Sequence, residues 1–120
     1  MTNKSYHDLV NEARTRIAEV SARETMQLLN GHPAPVIVDC REPNEAALGV
    51  VEGAVVIPRG ILEQNIERVA KRGQKVILYC ASGNRSLLAG DTLRLMGYED
   101  VASMAGGFRA WVEAGGAVEG

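Results

Sequence analysis

The chain is poor in aromatic residues: one Phe, one Trp and three Tyr, 4% of its 120 residues. A core built from it has to be aliphatic, drawn from the 46% of residues that are hydrophobic. Cysteine is equally scarce. Cys40 and Cys80 are the only two, fewer than a small disulfide-stapled framework uses. Two Cys and two His, with His7 and His32 far in sequence from either Cys, argue against a metal centre, and no metal or organic cofactor is expected. There is no run of Lys or Arg, the net charge is −2 and the pI is about 5.7. That balance excludes a nucleic-acid footprint and attraction to an anionic membrane surface. No apolar stretch approaches the roughly 20 residues that cross a bilayer. The segment from Met1 to Val20 is polar and mixed in charge, which is not the pattern of a signal peptide. A cytoplasmic location is expected, where thiols stay reduced.

What is present is an alternation of helical and extended segments, in a length that fits a single domain. Tyr6, Leu9, Val10, Ala13 and Ile17 recur at helical spacing and predict a helix from about Ser5 to Arg16. Glu19 to Ser21 reads as extended. Ser21 and Glu24 form a capping-box pattern that opens a helix running to about Leu29. Val36–Asp39, Ala54–Ile57 and Lys75–Tyr79 are short continuous runs rich in β-branched residues, the signature of strands buried on both faces. Helices are expected over Glu42–Leu48, Ile61–Ala70, Ser86–Met96 and Gly107–Ala114, with a last strand over Asp100–Ser103. This order predicts an α/β fold with a central, mostly parallel sheet flanked by helices in three layers. Chemistry in such folds sits beyond the carboxyl ends of the strands. Two of those ends carry reactive side chains, Asp39-Cys40-Arg41 and Cys80.

The sharpest signal is Cys80-Ala81-Ser82-Gly83-Asn84-Arg85-Ser86, between a buried strand and a helix. Small residues and Gly83 let the loop curl with its amides inward, which makes an anion cradle. The following helix N-terminus and Arg85 add positive potential. A cysteine placed there is favoured as a thiolate and as a nucleophile.

That segment resembles the active-site loop of the rhodanese family. Three further segments resemble the family in the same order: Val36-Ile37-Val38-Asp39-Cys40-Arg41-Glu42, Gly53-Ala54-Val55-Val56-Ile57-Pro58, and the Gly-Gly-x-x-x-Trp signature in Ala105-Gly106-Gly107-Phe108-Arg109-Ala110-Trp111. The resemblance divides the chain into an N-terminal helical extension, residues 1–16, and a rhodanese-like domain, residues 17–120. It implies a sulfurtransferase that takes a sulfane sulfur from a small donor such as thiosulfate. The sulfur is held as a Cys80 persulfide among the amides of Ala81, Ser82, Gly83, Asn84 and Arg85, and passes to cyanide or a thiol. A sulfur-relay role toward a partner protein is the alternative. A phosphatase or arsenate reductase is less expected: four residues separate Cys80 from Arg85, and that branch of the family uses a loop one residue longer.

Around this centre, Asp39 is expected to support the site structurally and not as an acid or base. Arg41 and Arg59 follow strand ends, and either attract an anionic donor or serve as ordinary surface arginines or in a salt bridge to Glu42 or Glu45. Arg85 is expected both to contact substrate and to pin the loop. Cys40 stands where the family commonly has an apolar residue; it is read as a small hydrophobe, with a resolving thiol for Cys80 as the alternative. Val50 and Glu52 replace a His and a Pro common in the family, and the turn Gly49–Gly53 is expected to be looser and remote from the site.

Overall fold

A computed structural model describes residues 3–120, so residues 1 and 2 of the expected 1–16 extension lie outside the described residues. The chain runs α1 (Tyr6–Arg16), β1 (Ala18–Val20), α2 (Ala22–Leu29), β2 (Val36–Asp39), α3 (Pro43–Ala46), β3 (Val50–Val51), β4 (Val55–Val56), α4 (Leu62–Asn65), β5 (Val76–Tyr79), α5 (Asn84–Leu95), β6 (Val101–Met104), α6 (Gly107–Glu113) and β7 (Val118–Glu119). A five-stranded sheet, parallel at every pairing, has the order β1-β6-β5-β2-β4. The expected α/β architecture with a central parallel sheet is therefore present. β5 and β6 are buried along their whole length, as continuous apolar runs require.

Helices cover both faces. On one, Val38, Val76 and Leu78 pack with Leu62 and Ile66 of the α4 region and Ala89 and Leu93 of α5. On the other, Ile37, Ile77 and Tyr79 pack with Ala22 and Met26 of α2 and with Phe108 and Trp111 of α6. Helix α1 lies against α5 through Val10, Ala13, Ile17 and Leu87, and the Arg16 guanidinium clasps Asp91 at 2.7 and 2.9 Å. Capping boxes open three helices: Ser5 with Asp8 at α1, Ser21 with Glu24 at α2, and Glu42 with Glu45 at α3.

Three expectations need correction. The strand over Ala54–Ile57 is only Val55–Val56, and it lies at the sheet edge with both valines half-exposed. The helix over Ile61–Ala70 is a short α-turn between two 3-10 turns, Arg59–Ile61 and Ile66–Arg68; Leu62, Ile66 and Ala70 are driven into the core. The Gly49–Gly53 turn is not loose. β3 pairs antiparallel with β7, Val51 is fully buried, and the Gly53 N–H donates to the Glu119 carboxylate at 2.9 Å.

Candidate active site

Cys40 and Cys80 follow β2 and β5 at their carboxyl ends. The loop after Cys80 turns at Gly83, whose φ is +106°, a left-handed conformation that a side chain resists. A Cβ at Gly83 would also press on the Gly106 amide at 3.2 Å. With that turn made, helix α5 starts at Asn84, two residues before the expected Ser86.

The turn aims donors at sulfur. Cys80 Sγ accepts from the Gly83 N–H at 3.1 Å and the Ser86 N–H at 3.4 Å, and the Ser86 hydroxyl lies 3.5 Å away. Of the loop amides from Ala81 to Arg85, that of Gly83 bonds the Sγ of the unloaded thiol, and Ser86 supplies the other two groups. Ser86 Oγ is 2.7 Å from Ser103 Oγ of β6 and 3.1 Å from the Gly83 carbonyl, which Ser103 also approaches at 3.4 Å. Each hydroxyl has one proton and two acceptor positions. If Ser103 donates to Ser86, the Ser86 proton is free for an anionic sulfur. If Ser86 donates to Gly83, the arrangement suits a neutral thiol. Ser103 was not legible as a site residue; its only mark in the sequence is a hydroxyl inside an apolar strand.

Arg85 points sideways to α3. Its guanidinium makes a two-pronged pair with Glu45, 3.0 and 3.1 Å, and the Glu42 N–H donates to the same carboxylate at 3.0 Å. The Arg85 hydrogen bonds, followed by that amide, pull the Glu45 carboxyl down to about 2. Arg85 thus pins the loop to α3 in the structure, through a partner the sequence did not single out.

Asp39 and Arg41 lie beneath the site, not at its mouth. Asp39 is fully buried and Arg41 5% exposed. Arg41 Nε and Nη2 donate to both Asp39 oxygens at 2.7–3.1 Å, and Nη2 also reaches the Gly49 carbonyl. Arg41 is neither a surface arginine nor paired with Glu42 or Glu45; the stack of its guanidinium over Phe108, 4.2 Å to the ring centroid, holds it inside. Tyr79 completes the network, donating to Asp39 at 2.7 Å and accepting from the Val51 N–H at 3.0 Å. The β3 turn is therefore joined to the base of the site, contrary to the expectation that it is remote. Phe108 passes this support on: its N–H donates to the Cys80 carbonyl at 2.8 Å. Arg59 is held by Glu63 at 3.2 Å and by Thr92 at 3.1 Å, so its side chain bridges α4 and α5 with no bond to the loop.

Among the described residues every buried side-chain nitrogen and oxygen has a hydrogen-bond partner, and no three His, Cys, Asp or Glu side chains cluster as metal ligands. No described helix is long and apolar enough to cross a membrane.

The family model of the rhodanese-like domain matches residues 21–114. The chain belongs to the rhodanese-like family. A protein of Allochromatium vinosum named sulfurtransferase is 30% identical over 99 residues, 82% of this chain and 92% of that protein. The thiosulfate sulfurtransferase GlpE of Pseudoalteromonas translucida is 32% identical over 97 residues, 77% of this chain and 86% of that protein. Other curated relatives are longer, and the chain spans 52% and 66% of two of them. A solved Rhodopseudomonas palustris structure superposes with a TM-score of 0.87 at 32% identity, covering 99% of this chain and 97% of its own. That protein is described as of unknown function and a possible tyrosine phosphatase. The matched range, residues 21–114, contains Cys80 and all the donors around its Sγ.

Proposed function

We propose that this rhodanese-like protein is a sulfurtransferase that carries a sulfane sulfur on Cys80. The observation that supports it is the convergence of the Gly83 and Ser86 amides and the Ser86 hydroxyl on a single sulfur atom at 3.1–3.5 Å. Donors already aimed at an atom stabilise charge there without reorganising. The Cys80 thiolate attacks the outer sulfur of a donor such as thiosulfate. A sulfur–sulfur bond forms to Cys80, the donor's own breaks, and sulfite leaves with the electron pair. An acceptor, cyanide or a thiol, then attacks the outer sulfur of the persulfide and returns the electron pair to Cys80. Asp39, Arg41 and Phe108 act as positioning residues, and Arg85 and Glu45 hold the loop.

The deciding experiment is intact-protein mass after incubation with thiosulfate, or with polysulfide, for wild type and Cys80→Ser. A gain of one sulfur on wild type alone, discharged by cyanide, is the expected result. No gain with either donor overturns the reading.

The description of the Rhodopseudomonas palustris structure as a possible tyrosine phosphatase raises a second reading. Against it stands the short loop, four residues between Cys80 and Arg85, with Arg85 turned to Glu45. Release of phosphate from an aryl phosphate, lost in Cys80→Ser, would establish that second activity. If Cys80 takes up sulfur but turns over poorly on small acceptors, delivery to a partner protein is the role.

A further inference from the structure

The second cysteine takes no part in the reaction above, yet it is placed beside the first. β2 and β5 pair in parallel register, Val38 with Leu78 and Asp39 with Tyr79. The ladder continues one residue further, since the Cys40 N–H donates to the Tyr79 carbonyl at 2.9 Å. Cys40 and Cys80 are the next residues in register. Their side chains share a face: Asp39 and Tyr79 bond each other on one side of the sheet, so the following residues point to the other. There both cysteines pack in one cluster with Val38, Leu78 and Ala89. Neighbouring strands lie about 4.8 Å apart, inside the roughly 4.4–6.8 Å between Cα atoms that a disulfide spans. Both cysteines are free thiols in the structure.

Cys40 is fully buried, so nothing dissolved reaches it, while Cys80 Sγ lies in the same cluster. Its S–H donates to the Tyr79 carbonyl at 3.3 Å. Burial, then the charge of Cys80, push this thiol up to about 12, which keeps it protonated and inert toward other partners.

We propose that Cys40 resolves a sulfur-loaded Cys80, expelling the carried sulfur as hydrosulfide and leaving a Cys40–Cys80 disulfide. The step rests on the persulfide reading and needs no further oxidant. A bond forms between the two Sγ atoms, and the bond from Cys80 Sγ to the outer sulfur breaks. The electron pair and the Cys40 proton leave with the outer sulfur as hydrosulfide. The two thiol sulfurs are oxidised to the disulfide, and the sulfane sulfur takes up those two electrons. Cys40 gives up its proton as the sulfur–sulfur bond forms, so its high proton affinity slows the attack; the placement of the two sulfurs in one cluster and hydrosulfide as a good leaving group carry the step. Loaded protein that meets no acceptor thus discharges itself and stays blocked at Cys80 until an external dithiol reduces it.

The test compares wild type, Cys40→Val and Cys40→Ala, incubated anaerobically with thiosulfate or polysulfide and no acceptor. Sulfide is assayed, and the alkylated protein is weighed. Wild type should release sulfide stoichiometrically and end two hydrogens lighter, with Cys40 and Cys80 peptides linked. Either variant should keep its added sulfur, release sulfide roughly tenfold more slowly and still pass the sulfur to cyanide. Wild type that holds its persulfide as long as the variants overturns the proposal and leaves sulfur transfer standing. If no protein takes up sulfur, sulfur transfer and this step fall together. Treatment with diamide, a thiol oxidant, tests the juxtaposition alone: wild type should cross-link internally, and failure to do so overturns the pairing whatever the sulfur chemistry.

Discussion

Glu45 of α3 and Arg85 of α5, 40 residues apart, grip each other through two parallel hydrogen bonds of 3.0 and 3.1 Å. The pair closes the loop over Cys80, which is 1% exposed. A neutral amide at position 45 keeps the shape and loses the charge that binds a guanidinium at both ends. Glu45→Gln should therefore speed alkylation of Cys80 by iodoacetamide several-fold, with the fold intact by circular dichroism. An unchanged rate would mean that the pair does not restrain the loop.

The same pair has a pH signature. The Glu45 carboxyl is lowered from 4.5 to about 2, first by Arg85 and then by the Glu42 amide. A lowered folded-state value means that the stabilisation is fully present above about 4.5 and is lost as pH falls from there through about 2. Loop closure, read as the alkylation rate relative to Cys80 in Glu45→Gln, should weaken across that window in wild type. In Glu45→Gln the residue 45 contribution is absent.

Ser86 supplies two of the three groups around the sulfur, and Ser103 acts through it. A hydrogen bond to a charged group contributes about 1.5–3 kcal/mol, so Ser86→Ala should lower kcat/KM for thiosulfate about tenfold or more. The Ser86 amide remains in that variant. Ser103→Ala should cost less and leave KM unchanged, because Ser103 touches only the Ser86 hydroxyl and the Gly83 carbonyl. Steady-state kinetics on the two variants separates these outcomes.

Much of this site could be read before folding, and the boundary has a physical cause. Local signals carried through: the β-branched runs became β2 and β5, the Ser21 capping box closed, and the loop between strand and helix put Cys80 between β5 and α5. Long-range partners did not. Glu45 looks like any acidic residue on a short helix until α3 is set beside α5. β3 exists because residues 118 and 119 return to pair with it. Arg41 reads as a surface residue because nothing local says that Phe108 will cover it. Val55 and Val56 have strand chemistry, but their exposure depends on which strand ends the sheet.

Asp39 holds that buried arginine in place, and its removal should show as stability before activity. Asp39→Asn leaves the Arg41 charge buried without its counter-charge, and breaking such a pair costs about 3–5 kcal/mol. Urea denaturation should report a loss near the lower figure, since the amide retains some hydrogen bonding. Tyr79→Phe, which deprives Asp39 and the Val51 amide of one partner each, should cost about 1–3 kcal/mol.

Gly107 tests how closely the last helix abuts the reactive loop. Its φ is +59°, and a Cβ there would collide with the Cys80 carbonyl oxygen and with the carbonyl of Ala81. These are backbone atoms, so no rotamer change relieves the contact; either α6 or the loop has to move. Gly53 is the matched reference. Its φ is +85°, but a Cβ at that position meets nothing within 4 Å. Gly53→Ala should lose only the conformational penalty of a left-handed residue, about 1–2 kcal/mol. Gly107→Ala carries that penalty and the collision, and should lower Tm further. Because the displaced atoms are the carbonyls of Cys80 and Ala81, it should also abolish sulfur loading of Cys80 in protein that remains folded, whereas Gly53→Ala loads normally. Equal effects of the two substitutions on Tm and on loading would show that the close approach of α6 does not hold the loop.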